Sequence, residues 1–338
     1  MRIRVLLVFL LVASIVMAAG IGAMAIRPMQ VVAILLSKLG WHGAKLADYN
    51  PAMEAVLLQI RLPRICLGVL TGGGLAVAGA ALQGLFRNPL VDPGLIGISS
   101  GAGLSAVAVI VMGIQGYYLL NLLTFGGACI SSILVFRFSR VEGRTVVATL
   151  LLAGLAINAL CNALTGLITY TANNEQLRNI TFWLMGSLGG ATWATVLSLL
   201  PFVLLPVCLL PGNGRSLNAY ALGEAEALHI GVDVRWLKFR VLLLATLAVG
   251  ATVAVCGIIG FVGLIVPHIL RSWTGSDHRR LLFDSALAGA ILLTLADVLS
   301  RTIIAPAELP IGIVTALVGT PVFIVLLYKQ KSNMYDPH

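Results

Sequence analysis

Charge is scarce in this sequence. Only 10% of its 338 residues are Asp, Glu, Lys or Arg, and 7% are aromatic. An ordinary soluble domain carries about 25% charged residues, so a water-exposed globule of this composition is excluded. Disorder is excluded as well, because 59% of the chain is hydrophobic and such a chain does not stay solvated. A chelating framework is also missing. Cys66, Cys129, Cys161, Cys208 and Cys256 stand singly in apolar runs, with no Cys-x-x-Cys pair and no histidine cluster beside them. They read as packing residues rather than as a disulfide or metal scaffold. No His-Glu-x-x-His occurs and no lysine follows a glycine. A zinc-protease helix and a Walker A loop are thereby absent, and any ATP hydrolysis must come from another chain.

What is abundant is apolar length. A span takes about 20 apolar residues, and the hydrophobic content suits about ten. The expected fold is all-α, a single polytopic membrane domain over 1–338 with spans near 5–26, 65–84, 95–113, 117–136, 146–168, 191–210, 240–259, 281–300 and 311–328. The first run exceeds a signal-peptide core of 7–15 residues and reads as a retained helix behind Arg2 and Arg4. Between Arg240 and Arg271 lie 30 uncharged residues. That is about 45 Å of helix against a hydrocarbon core of about 30 Å. Gly257, Gly260, Gly263 and Pro267 break it, which predicts a full span and a short returning helix around 263–272, the tenth. Both termini then share one side. That side collects Arg2, Arg4, Arg87, Arg137, Arg140, Arg144, Arg215, Arg235, Lys238, Arg240, Arg271, Arg279, Arg280, Lys329 and Lys331, so it is cytoplasmic by the positive-inside bias.

Two polar segments interrupt the bundle. Residues 27–62, outside, hold a short amphipathic stretch and a Trp41-His42-Gly43 turn. Residues 211–239, inside, have turn and capping signals around short helices, either as a plain solvated loop or as the seat of a cytosolic partner. Small residues at Gly68, Gly72, Ala76, Ala80 and Gly84 form a close-packing stripe for a central helix. Gly154, Asn158, Asn162, Gly166 and Tyr170 form a second row at steps of four. Its amides serve either interhelical hydrogen bonds or the lining of a pathway. Beyond it, Arg178, Phe182, Trp183 and Met185 fit interfacial anchors or the rim of a substrate vestibule. Asp297 and Arg301 read as an i,i+4 ion pair, and no series of carboxylates or histidines at depth supports proton-coupled transport.

Several long motifs resemble a known family. Arg61-Leu62-Pro63-Arg64, then Gln83-Gly84-Leu85-Phe86-Arg87-Asn88-Pro89-Leu90-Val91-Asp92-Pro93-Gly94, are similar to the FecCD/BtuC-like permeases of type II ABC importers for iron complexes, haem and vitamin B12. So are Gly260-Phe261-Val262-Gly263-Leu264-Ile265-Val266-Pro267-His268 and Glu308-Leu309-Pro310. Gln176–Trp183 with Gly186–Trp193 looks most like the haem branch. The resemblance implies ten helices per subunit, a homodimer with the pathway at its interface, and a place in the bacterial inner membrane. It also implies two cytoplasmic ATPase subunits, which hold the ATP and Mg, and a periplasmic substrate-binding protein. No resident cofactor or metal is implied for this chain, no nucleic acid, and no enzymatic activity; haem is cargo.

The resemblance also places roles. Arg61, Arg64 and Arg301 fall where relatives dock their binding protein, as a positive platform for an acidic rim. Gly223, Glu224, Ala227, Leu228 and Gly231 fall on the ATPase coupling segment, with the two glycines setting its turns. Asn88, Leu90, Val147 and Ala148 fall at the cytoplasmic gate. His268 belongs to a motif shared across substrates and is discounted as a haem ligand. A ferric siderophore or vitamin B12 permease is the alternative, and a membrane-embedded haem-handling enzyme a distant one, since facing axial histidines are lacking.

Overall fold

The computed structural model describes residues 2–38, 40, 47–141 and 144–335. The Trp41-His42-Gly43 turn lies outside the described residues. The chain runs through α1 (Arg2–Gly20), α2 (Pro28–Lys38) and α3 (Pro51–Ala55), which passes through a π-helical turn at Val56–Arg61 into α4 (Leu62–Phe86). There follow α5 (Ile98–Val111), α6 (Tyr117–Phe138), α7 (Val147–Tyr170), α8 (Asn174–Leu184) and α9 (Trp193–Leu209). The rest is α10 (Gly214–Leu222), α11 (Glu224–His229), α12 (Val234–Cys256), α13 (Val262–Thr274), α14 (His278–Ser300) and α15 (Ile311–Tyr335). Among the described residues the sole sheet is an antiparallel pair, Arg140–Val141 against Arg144–Thr145. The fold is all-α.

Among the described residues, seven helices are long and apolar enough to cross a bilayer, and three further apolar helices, Pro28–Lys38, Ile98–Val111 and Ile311–Val325, are shorter. The first helix stops at Gly20, short of the expected Ile26. The long uncharged stretch breaks as its length requires. α12 ends at Gly257 with φ of 72°, and α13 begins after Phe261, which holds φ of 70°. Glycine adopts that first conformation freely, whereas a phenylalanine held there is strained.

α4 is the buried axis, with α9, α12, α13 and α14 packed around it. The small-residue stripe lies along α14. Gly68 faces Thr294, Gly72 and Ala76 press on Gly289, and Gly84 meets the His278 ring. Gly79, outside the stripe, backs onto the main chain of Gly263 at the start of α13. At Gly72 and Gly79 backbone lies on backbone, which maximises dispersion contact where lipid offers no hydrophobic drive.

Two ends can now be distinguished. At the basal end α1 starts, and Arg4 reaches Asp284 near the start of α14 at 2.8 Å. That end also holds Arg87, Arg140, α10, α11 and the start of α12. The distal end holds the finish of α1, the start of α4 and the 301–310 turn.

Candidate functional site

At the distal end the motif arginines are spoken for. Pro63 lacks an N–H to donate one turn back, and the π-turn that precedes it carries Arg61 toward the end of α1. There Arg61 donates to the carbonyls of Ala19 (2.5 Å) and Gly20 (3.0 Å) and to that of Met24. It acts as a side-chain cap on orphan helix carbonyls. Arg64 binds Asp297 at 2.8 Å and Glu308 at 2.8 Å. Arg301 donates to Ala18 O at 2.6 Å and stands 3.5 Å from Asp297. Arg61 and Arg64 are only 4% and 7% exposed. The three arginines thus form a buried network in which three guanidiniums share two carboxylates and four carbonyls. Of its charged members Glu308 is the accessible one, its side chain 45% exposed.

The broken segment builds a cavity. Ile311 N–H and Gly312 N–H donate to Gly186 O and Met185 O, each at 3.1 Å, and Ser187 N–H donates to Cys256 O at 2.8 Å. These bonds join the end of α8, the break after α12 and the start of α15. Beside them opens an apolar cavity of about 680 Å³, with Leu184, Met185, Ile258, Phe261, Leu317 and Thr320 in its walls. Phe182 and Arg178 are exposed on α8, while Trp183 is half-buried against the main core. α8 is fixed by a capping box between Asn173 and Gln176, and Gln176 also donates to Val111 O at 3.0 Å. Phe261 stood in the Gly-Phe-Val-Gly motif at the break without a role of its own, and the α15 residues carried no signal beyond their apolar run.

The amide row divides. Asn158 donates to Gly94 O at 3.1 Å and accepts from Ser100 at 2.5 Å. It ties α7 to the turn before α5, the interhelical alternative. Asn162 and Tyr170 are exposed, Tyr170 by 89%, on a face with Leu152, Leu155, Leu160 and Leu167. A methyl group at Gly166 would meet nothing. One pattern escaped the sequence reading: Gly97-Ile98-Ser99-Ser100-Gly101 spells the Gly-x-Ser-x-Gly of hydrolases. Here it opens α5 from a 3-10 turn, without the strand a nucleophile elbow requires.

At the basal end α4 closes with Arg87 in the left-handed region, and Asn88 N–H returns to Gln83 O at 3.1 Å. Asn88 is exposed and its side chain accepts from Leu90 N–H at 2.9 Å. Leu90 and Val147 are half-buried and Ala148 is exposed. Two of the motifs meet here. The Gln83 amide donates to Leu264 O at 3.1 Å and accepts from Arg271 at 3.2 Å. In the coupling segment Gly223 and Gly231 take φ of 144° and 87° and set the turns around α11. Glu224 binds the buried Lys238 at 2.9 Å, and Lys238 also donates to Thr145 O at 2.7 Å. Ala227 is fully buried within the chain, and Leu222, Leu228 and Ile230 are the exposed apolar side chains there. Asn218 donates to Asp277 at 2.7 Å, which holds that carboxyl below the usual carboxylate range.

Long apolar helices around a glycine-lined axis, with a helix break beside an apolar cavity, make up a membrane-embedded transport subunit. Residues 9–329 match the FecCD transport family, and the chain belongs to it. It is 46% identical over 337 residues to the hemin transport system permease protein HmuU of Yersinia pestis, covering 98% of this chain and 97% of that one. It is 43% identical to the vitamin B12 import system permease protein BtuC of Shigella boydii, covering 90% and 93%. Among solved structures it is similar to a metal-chelate type ABC transporter in an inward-facing conformation, with a TM-score of 0.86, 36% identity and coverage of 97% and 99%. The chain is an ABC importer permease and not an enzyme.

Proposed function

We propose that this permease carries haem across the bacterial inner membrane by alternating access between two copies of the chain. The observation behind the haem reading is the end-to-end similarity to a hemin permease. Ten membrane helices are proposed, the seven long ones together with α5, α13 and α15. The basal end faces the cytoplasm, with both termini, because it holds most of the cations. The exposed face of α7, with Asn162 and Tyr170, meets its counterpart in the second copy. Asn88, Leu90, Val147 and Ala148 form the cytoplasmic gate.

A flat apolar macrocycle with two propionates suits an apolar cavity with a cation near its approach. Arg178 stands six residues, about 9 Å of helix rise, before Leu184 in the cavity wall. Arg178→Ala should lower haem uptake about tenfold by weakening electrostatic capture, with basal ATP hydrolysis unchanged. Uptake is measured in proteoliposomes holding the permease, its ATPase and its binding protein. Uptake of a ferric siderophore or of vitamin B12, with haem neither carried nor competing, would remove the haem assignment.

The cytoplasmic ATPase docks on α11 through Leu228 and Ile230, with Leu222 beside them. Leu228→Asp with Ile230→Asp should abolish co-purification of the ATPase and leave the permease folded, since both side chains already face solvent. Normal co-purification would reduce the segment to a solvated loop. At the distal end the binding protein docks over Arg61, Arg64 and Arg301. A partner carboxylate that reaches Arg64 has to replace Glu308 there.

A further inference from the structure

A second cavity opens at the basal end, away from the haem route. It measures about 410 Å³, and its walls include Phe136, Arg140, Asp233, Arg235, Trp236 and Phe239. A narrower groove of about 130 Å³ runs on from it. Phe136 and Phe239 line both, and Ile133 of α6 and Leu243 of α12 carry the groove deeper into the bundle. The two spaces form one slot between α6 and α12, basic at the mouth and apolar within. Ile133 and Leu243 are 56% and 45% exposed, so the groove is open on the outer surface of the chain.

The mouth is built from stacked rings and guanidiniums. Arg140 lies over the Phe136 ring at 4.8 Å, Arg240 over Trp236 at 4.8 Å, and Trp236 stacks on Phe239 at 5.3 Å. A guanidinium held by its face keeps its N–H edge for a second partner. Among the described residues, none pairs ionically with Arg140, Arg235 or Arg240. Asp233, the acid in the wall, is engaged as the cap of α12 and accepts Trp236 N–H at 2.9 Å. Among the described residues, Arg140 and Arg235 in the wall and Arg240 over Trp236 stand against one carboxylate, Asp233.

We propose that this slot binds a phospholipid with an anionic headgroup, its phosphate at Arg140 and Arg235 and an acyl chain in the groove between α6 and α12. A free anion would use the mouth and leave the groove idle. A zwitterionic lipid would fill the groove without calling for the net positive mouth. Basic pockets between helices at the cytoplasmic face suit anionic lipids, at about one headgroup charge interaction per arginine. The leaflet rests on the orientation proposed above, whereas the chemistry of the slot does not. A lipid seated there would brace α6 and the strand pair against the start of α12. Lys238 of that helix holds both Thr145 and Glu224, so the lipid would steady the coupling segment from behind.

Native mass spectrometry of the full chain in mild detergent tests this. Phosphatidylglycerol and phosphatidylcholine with the same acyl chains are compared, and sn-glycerol 3-phosphate is the soluble competitor. Phosphatidylglycerol should be retained roughly 25-fold better than phosphatidylcholine, from two arginines at the interface. Arg140→Gln with Arg235→Gln should erase that preference without changing helix content. Leu243→Trp, which touches no charge, should fill the groove and lower retention of both lipids. Equal retention of the two lipids, a preference that survives the double variant, or displacement by glycerol 3-phosphate would overturn the proposal. Should the double variant not fold, unchanged phosphatidylglycerol retention in Leu243→Trp would overturn it alone. These ratios need no transport, so failure of the haem reading would leave them intact.

Discussion

Arg64→Met should destabilise the permease by about 3–5 kcal/mol, because it strands a buried carboxylate. Asp297 is 2% exposed, and its close partner is Arg64 at 2.8 Å; Arg301 stands farther off at 3.5 Å. Met keeps most of the volume and removes the charge, so packing changes little and electrostatics changes much. The thermal midpoint in detergent should fall on the order of 10 °C. Adding Asp297→Asn should recover part of the loss, since the stranded charge goes with it, while Glu308 can turn to solvent. Arg178→Ala, at an exposed position, should leave the midpoint unmoved. An unchanged midpoint in Arg64→Met, together with lost stimulation by the binding protein, would make Arg64 a free docking cation instead. The same geometry bears on charge reversal at Arg61 and Arg64: such variants would confound docking with folding.

Half of this network was legible in the sequence. Asp297 and Arg301 are one helical turn apart, and their pairing follows from spacing alone. Arg64 lies 233 residues from Asp297, and no local pattern connects them. Arg61 was harder still, because its partners are main-chain carbonyls, which leave no mark in a sequence. The break after α12 was readable because it is a length argument: an uncharged stretch too long for one span and too short for two must bend where glycine allows. The stripe on α4 was readable for a similar reason, since small residues at steps of four face one neighbour. Asn158 and Asn162 look alike as letters, yet one is bonded to Gly94 and the other faces outward. Only the packing of α7 on the turn before α5 separates them. Ala227 is buried within the chain, which its sequence context does not show, because a small residue in a polar segment is as suited to an internal contact as to a cleft in a partner.

The glycines of α4 should show the sharpest mutational contrast in the molecule. A Cβ at Gly72 would overlap the carbonyl oxygen of Gly289, with Leu293 Cβ only 2.8 Å away. At Gly79 it would overlap the carbonyl oxygen of Gly263 and stand 2.7 Å from its Cα. Those neighbours are backbone and cannot rotate aside, so the helices themselves must separate. Overpacking against movable side chains costs about 1–3 kcal/mol, and here the cost should exceed that range. Gly72→Val and Gly79→Val should therefore abolish folded yield, and the alanine variants should lower the thermal midpoint strongly. Gly73→Ala meets Ala286 O at 3.2 Å and should be milder. Gly126→Ala and Gly166→Ala meet nothing within 4 Å. In the interiors of α6 and α7, they should gain about 0.5–1 kcal/mol from lower backbone entropy in the unfolded chain. Size-exclusion profiles and melting curves of the five alanine variants read out the ranking. Gly72→Ala and Gly79→Ala as stable as Gly166→Ala would mean that α4 is not held by backbone contact with α13 and α14, and the packing of the central helix would need another basis.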